Sequence, residues 1–149
     1  MKLDSTTLSY IAGFLDGDGS IFFQIVSRPD YKQKFQIRTS IAFYQDTRNA
    51  SILEWLKEKF DSGCIRHRKT GISDYTIVDF KKVKEILSLL KPYARLKKKN
   101  IELGLEIIKK LEDKSDFLEI CKLVDKFKEL NYSKKRTMTS DVVRKILSL

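Results

Sequence analysis

The sequence predicts an α+β fold in which helices cover one face of a twisted antiparallel sheet. Three observations favour this class. The chain has 149 residues, of which 42% are hydrophobic, so it can bury one core. Two pairs of segments alternate polar and apolar residues, as strands do. Segments with helical spacing of apolar residues separate and follow those pairs, which gives the order α-ββ-α-ββ-α with further helices at the C-terminal end. We expect one domain over residues 1–149.

The first half of the chain supplies a helix, two strands and a second helix. The first helix is expected from about Leu8 to Leu15, capped by Thr6 or Thr7 and ended by the glycines that follow. Strands are predicted over residues 20–27 and 35–45, on either side of a turn. The second helix is expected to follow a cap at Asp46 or Thr47 and to end at residues 62–63.

The second half begins with a hairpin that turns at residues 69–71. Four helices are then predicted over about 81–90, 96–111, 117–130 and 141–147, the last capped by Thr139 or Ser140. His67, on the first strand of the hairpin, is expected to be a partly buried structural histidine.

One face of the predicted sheet carries mostly long hydrogen-bonding side chains, because alternation along the strands assigns the apolar residues to the other face. That polar face comprises Gln24, Arg28, Gln36, Arg38, Ser40, Tyr44, Arg66, Arg68 and Thr76. Arginine is the commonest reader of guanine edges, glutamine pairs with adenine, and a two-stranded ribbon fits the major groove. An ordinary solvated sheet face remains the alternative on this pattern alone.

The charge favours a nucleic-acid partner. Lys and Arg number 30 against 20 Asp and Glu, which gives a net charge of +10, and basic domains displace counterions from phosphates. A merely soluble basic surface is the alternative. The two cysteines and one histidine lack zinc-site spacing, so a metal would have oxygen ligands, which favours magnesium or calcium. No apolar run reaches the length of a membrane span, and the N-terminus lacks a signal-peptide pattern, so we expect an intracellular protein.

The stretch "IAGFLDGDGS" at residues 11–20 breaks two local rules. Gly13 interrupts an apolar helical run, and two acids lie at a helix C-terminus, where the dipole favours cations. Carboxylates and free carbonyls there could bind Mg²⁺. Gly13 and Gly17 are four apart, so a flat face would let a second copy of the helix approach around a twofold axis and bring the acidic ends together. A glycine C-cap with an incidental aspartate is the alternative.

"IAGFLDGDG" resembles the motif that names the LAGLIDADG homing endonucleases, and the predicted element order resembles that family's core. A single motif in a chain this short resembles the homodimeric subgroup encoded in group I introns. The resemblance implies that Asp18 is the metal-binding catalytic aspartate, with the Gly17 carbonyl as a further ligand, and that Asp16 is mainly structural. It also implies that Gln45 orients a water and that Lys97 is the catalytic lysine. A solvated run that positions phosphates is the alternative for Lys97 to Lys99.

The resemblance implies further contacts. A family arginine early in the second helix aligns with Asn49, and Arg48 is the neighbouring candidate for its role. The stretch "NYSKKRTMTS" resembles a backbone-contacting stretch of the family, which adds Ser133, Lys134, Lys135, Arg136 and Thr137 to the expected DNA contacts. Tyr31, Lys32, Asp74 and Lys99 are expected to contact DNA as well. The expected dimer interface comprises Ile11, Ala12, Gly13, Leu15 and Asp16.

The predicted function is that of a Mg²⁺-dependent homing endonuclease. We expect a homodimer that hydrolyses both strands of a long, pseudo-palindromic double-stranded DNA site, with Mn²⁺ as a substitute and Ca²⁺ as an ion that binds without supporting cleavage. An intron-encoded enzyme would act in a chloroplast or mitochondrion if its gene is carried there, and otherwise in the cytoplasm or nucleoid. Two alternatives remain open: a non-catalytic intron-splicing cofactor or DNA-binding regulator on the same fold, and a generic basic α+β protein, which would be monomeric.

Overall fold

A computed structural model describes residues 2–131 and 137–148, and within them the predicted order of elements is confirmed. A 3₁₀ turn, Thr47–Asn49, precedes the second helix. The elements are α1 Ser5–Asp18, β1 Gly19–Ser27, β2 Phe35–Asp46, α2 Ser51–Phe60, β3 Cys64–His67, β4 Ile72–Ile77, α3 Phe80–Leu90, α4 Lys98–Glu112, α5 Phe117–Leu130 and α6 Ser140–Ile146. None of the described helices is long and apolar enough to cross a bilayer.

The four strands form one sheet in the order β1-β2-β4-β3. β4 pairs antiparallel with both β2 and β3. Asp74 of β4 lies opposite Tyr44 on one side and Arg66 on the other. This register places a carboxylate in the middle of the predicted DNA-reading face.

The chain packs as two compact units. The first contains the described part of Met1–Phe22 together with Thr39–Lys98, and the second contains Phe23–Arg38 and the described residues after Lys98. Apolar side chains such as Leu15, Phe43 and Leu53 are fully buried in the first unit. In the second unit, the rings of Phe23 and Phe127 pack with centroids 4.9 Å apart. A single domain over the whole chain stays a prediction.

The first helix is longer at both ends than the sequence predicts. It begins after Asp4, whose carboxylate accepts a hydrogen bond of 2.7 Å from the Thr7 backbone, and it continues through Gly17 to Asp18. Gly19 is the C-cap residue and is extended, with φ at −116°. A Cβ on Gly19 would lie 2.8 Å from the Leu15 Cα, so the close approach of the backbone requires glycine there.

Two expectations about exposure are also wrong. Ser40, predicted on the polar face of the sheet, is only 6% exposed, and Ala42, two residues further along β2, is 2% exposed. β2 is a central strand with a neighbouring strand on each side, so its small side chains have little access to solvent. His67 is exposed rather than partly buried, and its Nδ1 lies 2.7 Å from the hydroxyl of the buried Ser73.

A candidate metal site beside a nucleic-acid-reading face

Asp18 ends α1 as an exposed carboxylate. No hydrogen bond from the residues that the structure describes reaches this carboxylate, and the last turn of α1 contains no basic residue. The final carbonyls of a helix lack intrahelical donors and carry the negative end of its dipole. Asp18 and the Gly17 carbonyl therefore form a locally negative point that a hard cation would neutralise.

The Asp16 carboxylate accepts hydrogen bonds from backbone groups of the first unit. Its Oδ2 accepts hydrogen bonds from the backbone N–H groups of Arg95 at 2.8 Å and Leu96 at 3.1 Å, and its Oδ1 accepts from the N–H of Lys97 at 3.0 Å. These bonds hold the segment before α4 against α1, and α4 starts at Lys98 rather than at Leu96 as predicted. The Asp16 carboxylate is thus committed to the fold.

Lys97 is held in place by Asp16 as well. Its Nζ donates a hydrogen bond of 2.9 Å to the Asp16 carbonyl oxygen, and the side chain is half-buried. Burial lowers the pKa of Lys97 below the ordinary lysine value and outweighs the opposite effect of the Asp16 and Asp18 charges. The structure therefore places a partly desolvated ammonium group beside both acids of the motif.

An open groove of about 410 Å³ brings Gln45 and Asp18 together. It runs along the exposed side of α1, where Gly13 and Gly17 form its floor. Gln45 is the penultimate residue of β2, and its side-chain oxygen accepts a hydrogen bond of 2.9 Å from the Asp46 backbone, which orients the amide. The groove thus combines a free carboxylate, a helix-end carbonyl and an oriented amide.

A single chain supplies few metal ligands. Within residues 2–131 and 137–148, no three His, Cys, Asp or Glu side chains converge on one point. One carboxylate and one carbonyl are too few for a dedicated magnesium cage, but Mg²⁺ sites commonly combine one or two carboxylates with substrate phosphate. The residues present therefore fit a metal site that needs further ligands from outside the chain, such as a phosphate.

Asp74 anchors two arginines on the sheet face. Its carboxylate accepts hydrogen bonds from Arg66 Nε at 3.2 Å, Arg68 Nε at 2.7 Å and Thr76 Oγ1 at 3.0 Å. Burial would raise the pKa of Asp74, but the bonds from Arg68, Thr76 and Arg66 outweigh it, so the pKa lies below its ordinary value. Asp74 is fully buried, which makes it a support for these arginines; a contact of its own with DNA stays a prediction.

Arg28, in the second unit, is held by neutral partners instead. Its Nε donates a hydrogen bond of 3.0 Å to Gln36 Oε1, and its guanidinium carbon lies 5.4 Å from the centre of the Tyr31 ring. Three further predicted contacts on residues 23–38 of this unit are exposed, namely Gln24, Lys32 and Arg38.

The remaining predicted DNA contacts fall in several places. Tyr44 is half-buried, and burial followed by the Asp74 charge raises its pKa. Lys99 lies exposed in the first turn of α4, and Thr137 is exposed. Four predicted phosphate contacts, Ser133, Lys134, Lys135 and Arg136, lie outside the described residues.

The arginine beside the second helix has a definite partner. Arg48 Nε and Nη2 each donate a 3.0 Å hydrogen bond to the Asp46 carboxylate. The hydrogen bonds from the Arg48 side chain and backbone lower the pKa of Asp46 to about 2. Asn49, which aligns with the family arginine, is exposed in the 3₁₀ turn.

The predicted dimer interface is wrong in part. Ile11, Ala12 and Leu15 are fully buried in the core of their own chain, so they cannot meet a partner. A helix advances about 100° per residue, and these residues lie on the side of α1 opposite Gly13. The exposed side contains Gly13 and Gly17, where an added Cβ would meet no atom within 4 Å. This side also carries Ser9 and Tyr10.

The family model described as LAGLIDADG endonuclease matches residues 11–109 of the chain. The chain therefore belongs to the LAGLIDADG endonuclease family. It is 38% identical to DNA endonuclease I-CreI of Chlamydomonas reinhardtii over 150 residues, covering 98% of this chain and 91% of that protein. It is also 38% identical to DNA endonuclease I-CvuI of Chlorella vulgaris, covering 97% of this chain and 91% of that protein.

Solved structures agree with this assignment. Two I-CvuI complexes each match with a TM-score of 0.89 and 37% identity, over 96% of this chain and 93% of that one. One holds its own target with 2 mM Ca, and the other holds the I-CreI target with 2 mM Mg and uncleaved DNA. The archaeal enzyme I-Vdi141I, complexed with DNA, shares the fold at a TM-score of 0.83 and 20% identity, over 96% and 95% of the two chains.

Proposed function

We propose that this protein is a homing endonuclease that acts as a homodimer and cuts both strands of a long, pseudo-palindromic DNA site. The observation that carries the proposal is the state of Asp18. It is an exposed carboxylate at the negative end of α1, without a hydrogen bond from the described residues, in the same groove as Gln45. The 38% identity to two DNA endonucleases over nearly the whole chain supports the same reaction.

Asp18 and the Gly17 carbonyl are the groups of this chain that would hold a divalent ion. Bound Mg²⁺ acidifies a water and neutralises charge on the leaving oxygen of a phosphodiester. We infer that Mn²⁺ can replace it and that Ca²⁺ binds without supporting cleavage. Asp16 is not proposed as a ligand, because its carboxylate oxygens already accept three backbone N–H groups that hold the segment before α4.

We propose that two side chains of the first unit assist the hydrolysis. Gln45 has an oriented amide at the edge of the groove, where it can position an attacking water. Lys97 offers a partly desolvated ammonium group that can stabilise the extra negative charge of the transition state. Because its pKa is lowered, Lys97 also gives up a proton more readily than a solvated lysine.

The polar sheet face is proposed to read the major groove. Arg66 and Arg68 bond Asp74 through their Nε atoms, so their terminal NH₂ groups stay available for a guanine edge. Arg28 is likewise bonded through Nε. Supporting contacts are proposed from Gln24, Tyr31, Lys32, Gln36, Arg38, Ser40, Tyr44, Thr76, Lys99, Ser133, Lys134, Lys135, Arg136 and Thr137.

The exposed side of α1 is proposed as the dimer contact. With no side chain at Gly13 or Gly17, two copies of α1 can approach closely. If the helices run parallel, both Asp18 carboxylates lie at the same end of the pair and can share ions and scissile phosphates.

An enzyme with a DNA substrate acts where that DNA is, which is an organelle if the gene is carried there.

A cleavage assay with a matched pair of variants tests this function. The purified protein is selected against a randomised DNA library in Mg²⁺, and the cut site is then used to assay Asp18→Asn and Asp113→Asn. Asp113 is an exposed acid after α4, so its variant should cut like the unmodified protein. Asp18→Asn should cut on the order of 1,000-fold more slowly and bind within a few-fold of the unmodified protein.

Two results of this assay would contradict the proposed function or its metal site. Binding of the selected site without cleavage by the unmodified protein would contradict the enzyme and indicate a splicing cofactor or DNA-binding regulator. Unchanged cleavage by Asp18→Asn would contradict the metal site.

A further inference from the structure

A row of polar residues crosses the sheet next to the row that contains Asp74. The strand register pairs Gln45 of β2 with Ser73 of β4, and it pairs Ser73 with His67 of β3. Directly paired residues share a face of the sheet, and successive residues of a strand point to opposite faces. The row of Gln45, Ser73 and His67 therefore lies on the face opposite to Asp74 and the polar sheet face.

The hydroxyl of Ser73 lies at the centre of this row. Ser73 is fully buried, and its Oγ lies 2.7 Å from His67 Nδ1 and 2.9 Å from Thr47 Oγ1. A serine hydroxyl donates one hydrogen bond and can also accept one. Because an unpaired proton is costly away from water, the favoured arrangement has one partner that donates to Ser73 and one that accepts from it. The three side chains thus form one chain of hydrogen bonds.

Thr47 connects this chain of hydrogen bonds to the segment that carries Gln45. Thr47 begins the 3₁₀ turn after β2, and its backbone N–H donates a hydrogen bond of 2.8 Å to the carbonyl of Gly71 in the hairpin. The backbone N–H of Asp46, directly before Thr47, donates to the side-chain oxygen of Gln45. The orientation of the Gln45 amide therefore depends on a turn that is bonded to the β3–β4 hairpin through both the backbone and the side chain of Thr47.

The same hairpin carries two arginines that are proposed to read bases. Arg66 and Arg68 directly precede and follow His67 along the chain, and both bond Asp74 on the polar sheet face. Because the three residues are consecutive, a backbone shift that places the arginines on bases also moves the His67 ring. His67 therefore lies between the groups proposed to read DNA and the turn that orients Gln45.

We propose that His67, Ser73 and Thr47 form a relay of hydrogen bonds that holds Gln45 in place for cleavage when the hairpin is bound to DNA. All three are then positioning residues, because they act through Gln45 and not on the DNA itself. This inference rests on the role of Gln45 in the proposed function. A misplaced group can slow a reaction without weakening binding, because attack on the phosphate requires closer alignment than association does.

Single-turnover cleavage of the selected site at saturating DNA, together with the DNA dissociation constant, tests the relay. His67→Leu removes the ring nitrogen, and Thr47→Val removes the hydroxyl at nearly constant shape. Each should slow cleavage about tenfold and leave the dissociation constant within about twofold. His67→Asn, whose amide can replace Nδ1, and Thr47→Ser should cut within about threefold of the unmodified rate. Ser88→Ala is the control, because it removes a hydroxyl that bonds the Lys84 carbonyl in α3, and it should change neither quantity.

A double variant and one spectrum show whether the residues act together. His67→Leu/Thr47→Val should cut about as slowly as either single variant, because each change already breaks the chain at Ser73, whereas independent effects would multiply to about 100-fold. The chain has one histidine, so the imidazole ¹⁵N resonances belong to His67. These resonances should shift in Thr47→Val and stay in place in Ser88→Ala, in protein without DNA. Urea unfolding shows that each variant is folded.

The outcomes separate this inference from the proposed function. An unmodified protein that cuts its site, with an unchanged rate in a folded His67→Leu variant, would overturn the relay alone. A loss of binding as large as the loss of cleavage, or single effects that multiply in the double variant, would overturn it as well. An unmodified protein that binds its site but cuts no DNA would instead contradict the proposed function and with it the role of Gln45.

Discussion

Asp16 and Asp18 belong to the same short motif but lie in opposite surroundings. The two residues are about 200° apart around the helix, so their side chains leave α1 in nearly opposite directions. Asp16 accepts backbone hydrogen bonds from Arg95, Leu96 and Lys97, whereas no described residue donates a hydrogen bond to Asp18. The Asp16 carboxylate therefore organises the fold around the site, and the Asp18 carboxylate is left available for a cation.

The two carboxylates are nevertheless connected through Lys97. Its backbone N–H binds the Asp16 side chain, its Nζ binds the Asp16 carbonyl, and the charges of both acids act on it. Asp16 therefore supports the chemistry indirectly, because it determines where the ammonium group lies. If this is correct, changes at each position should separate into effects on cleavage and effects on stability.

The largest difference between an effect on cleavage and an effect on stability is expected at Lys97. Lys97→Met removes the ammonium group, so cleavage at saturating DNA should fall about 100- to 1,000-fold. The free energy of unfolding should stay equal or rise slightly, because the side chain is half-buried and its charge is poorly solvated. Single-turnover cleavage and urea unfolding measure the two quantities. Lys91→Met, an exposed lysine after α3, should change neither, and a large loss of stability in Lys97→Met alone would contradict the account.

The next effect is expected in stability. Asp16→Asn replaces one acceptor oxygen by an NH₂ group that faces backbone donors, which should lower the free energy of unfolding by about 2–4 kcal/mol. Cleavage should also fall, because Lys97 loses its position. Urea unfolding of Asp16→Asn, Asp18→Asn and the exposed control Asp113→Asn gives the ranking. If Asp16→Asn lowered the free energy of unfolding less than Asp18→Asn does, Asp18 rather than Asp16 would be the residue that supports the fold.

A third carboxylate, that of Asp74, accepts hydrogen bonds as Asp16 does but lies on the sheet face proposed to read DNA. The pKa of Asp74 is below its ordinary value of 3.8, so its stabilisation is fully present above that pH and is lost as pH falls through the lowered pKa. Asp74→Asn should therefore destabilise the protein at pH 7, by on the order of 1 kcal/mol because both guanidinium groups are exposed.

That deficit relative to the unmodified protein should shrink in acid. Urea unfolding of both proteins at pH 7 and near pH 3 measures it. An equal deficit at both pH values would mean that the ionised carboxylate of Asp74 does not support Arg66 and Arg68.

Local sequence patterns predicted the elements but not the contacts between distant segments. The alternation in β2 and the spacing of apolar residues in α5 were sufficient to place both elements, because each periodicity is local. The hydrogen bonds to the Asp16 carboxylate join residues about 80 positions apart, so nothing in the motif itself indicates which residues bond to Asp16. The burial of Ser40 depends in the same way on the strands beside β2.

The dimer face is a different case, because the sequence contained the answer. Ile11, Ala12 and Leu15 share a helical face with Leu8, and all four are buried. Helical spacing assigns Gly13 and Gly17 to another face, so the same spacing separates the buried residues from the exposed glycines. The orientation of Arg66 and Arg68 toward Asp74 needed the strand register, although both arginines and the acid were recognised as one polar face.

Mn²⁺ binding to the protein–DNA complex tests the division between the two acids most directly. The measurement is an electron paramagnetic resonance titration with a target whose scissile links cannot be hydrolysed, carried out below the unfolding temperature of every variant. Asp16→Asn and Asp113→Asn should bind Mn²⁺ with the stoichiometry of the unmodified protein, whereas Asp18→Asn should lose the tight sites. Retention of those sites in Asp18→Asn, or their loss in a folded Asp16→Asn, would contradict the account.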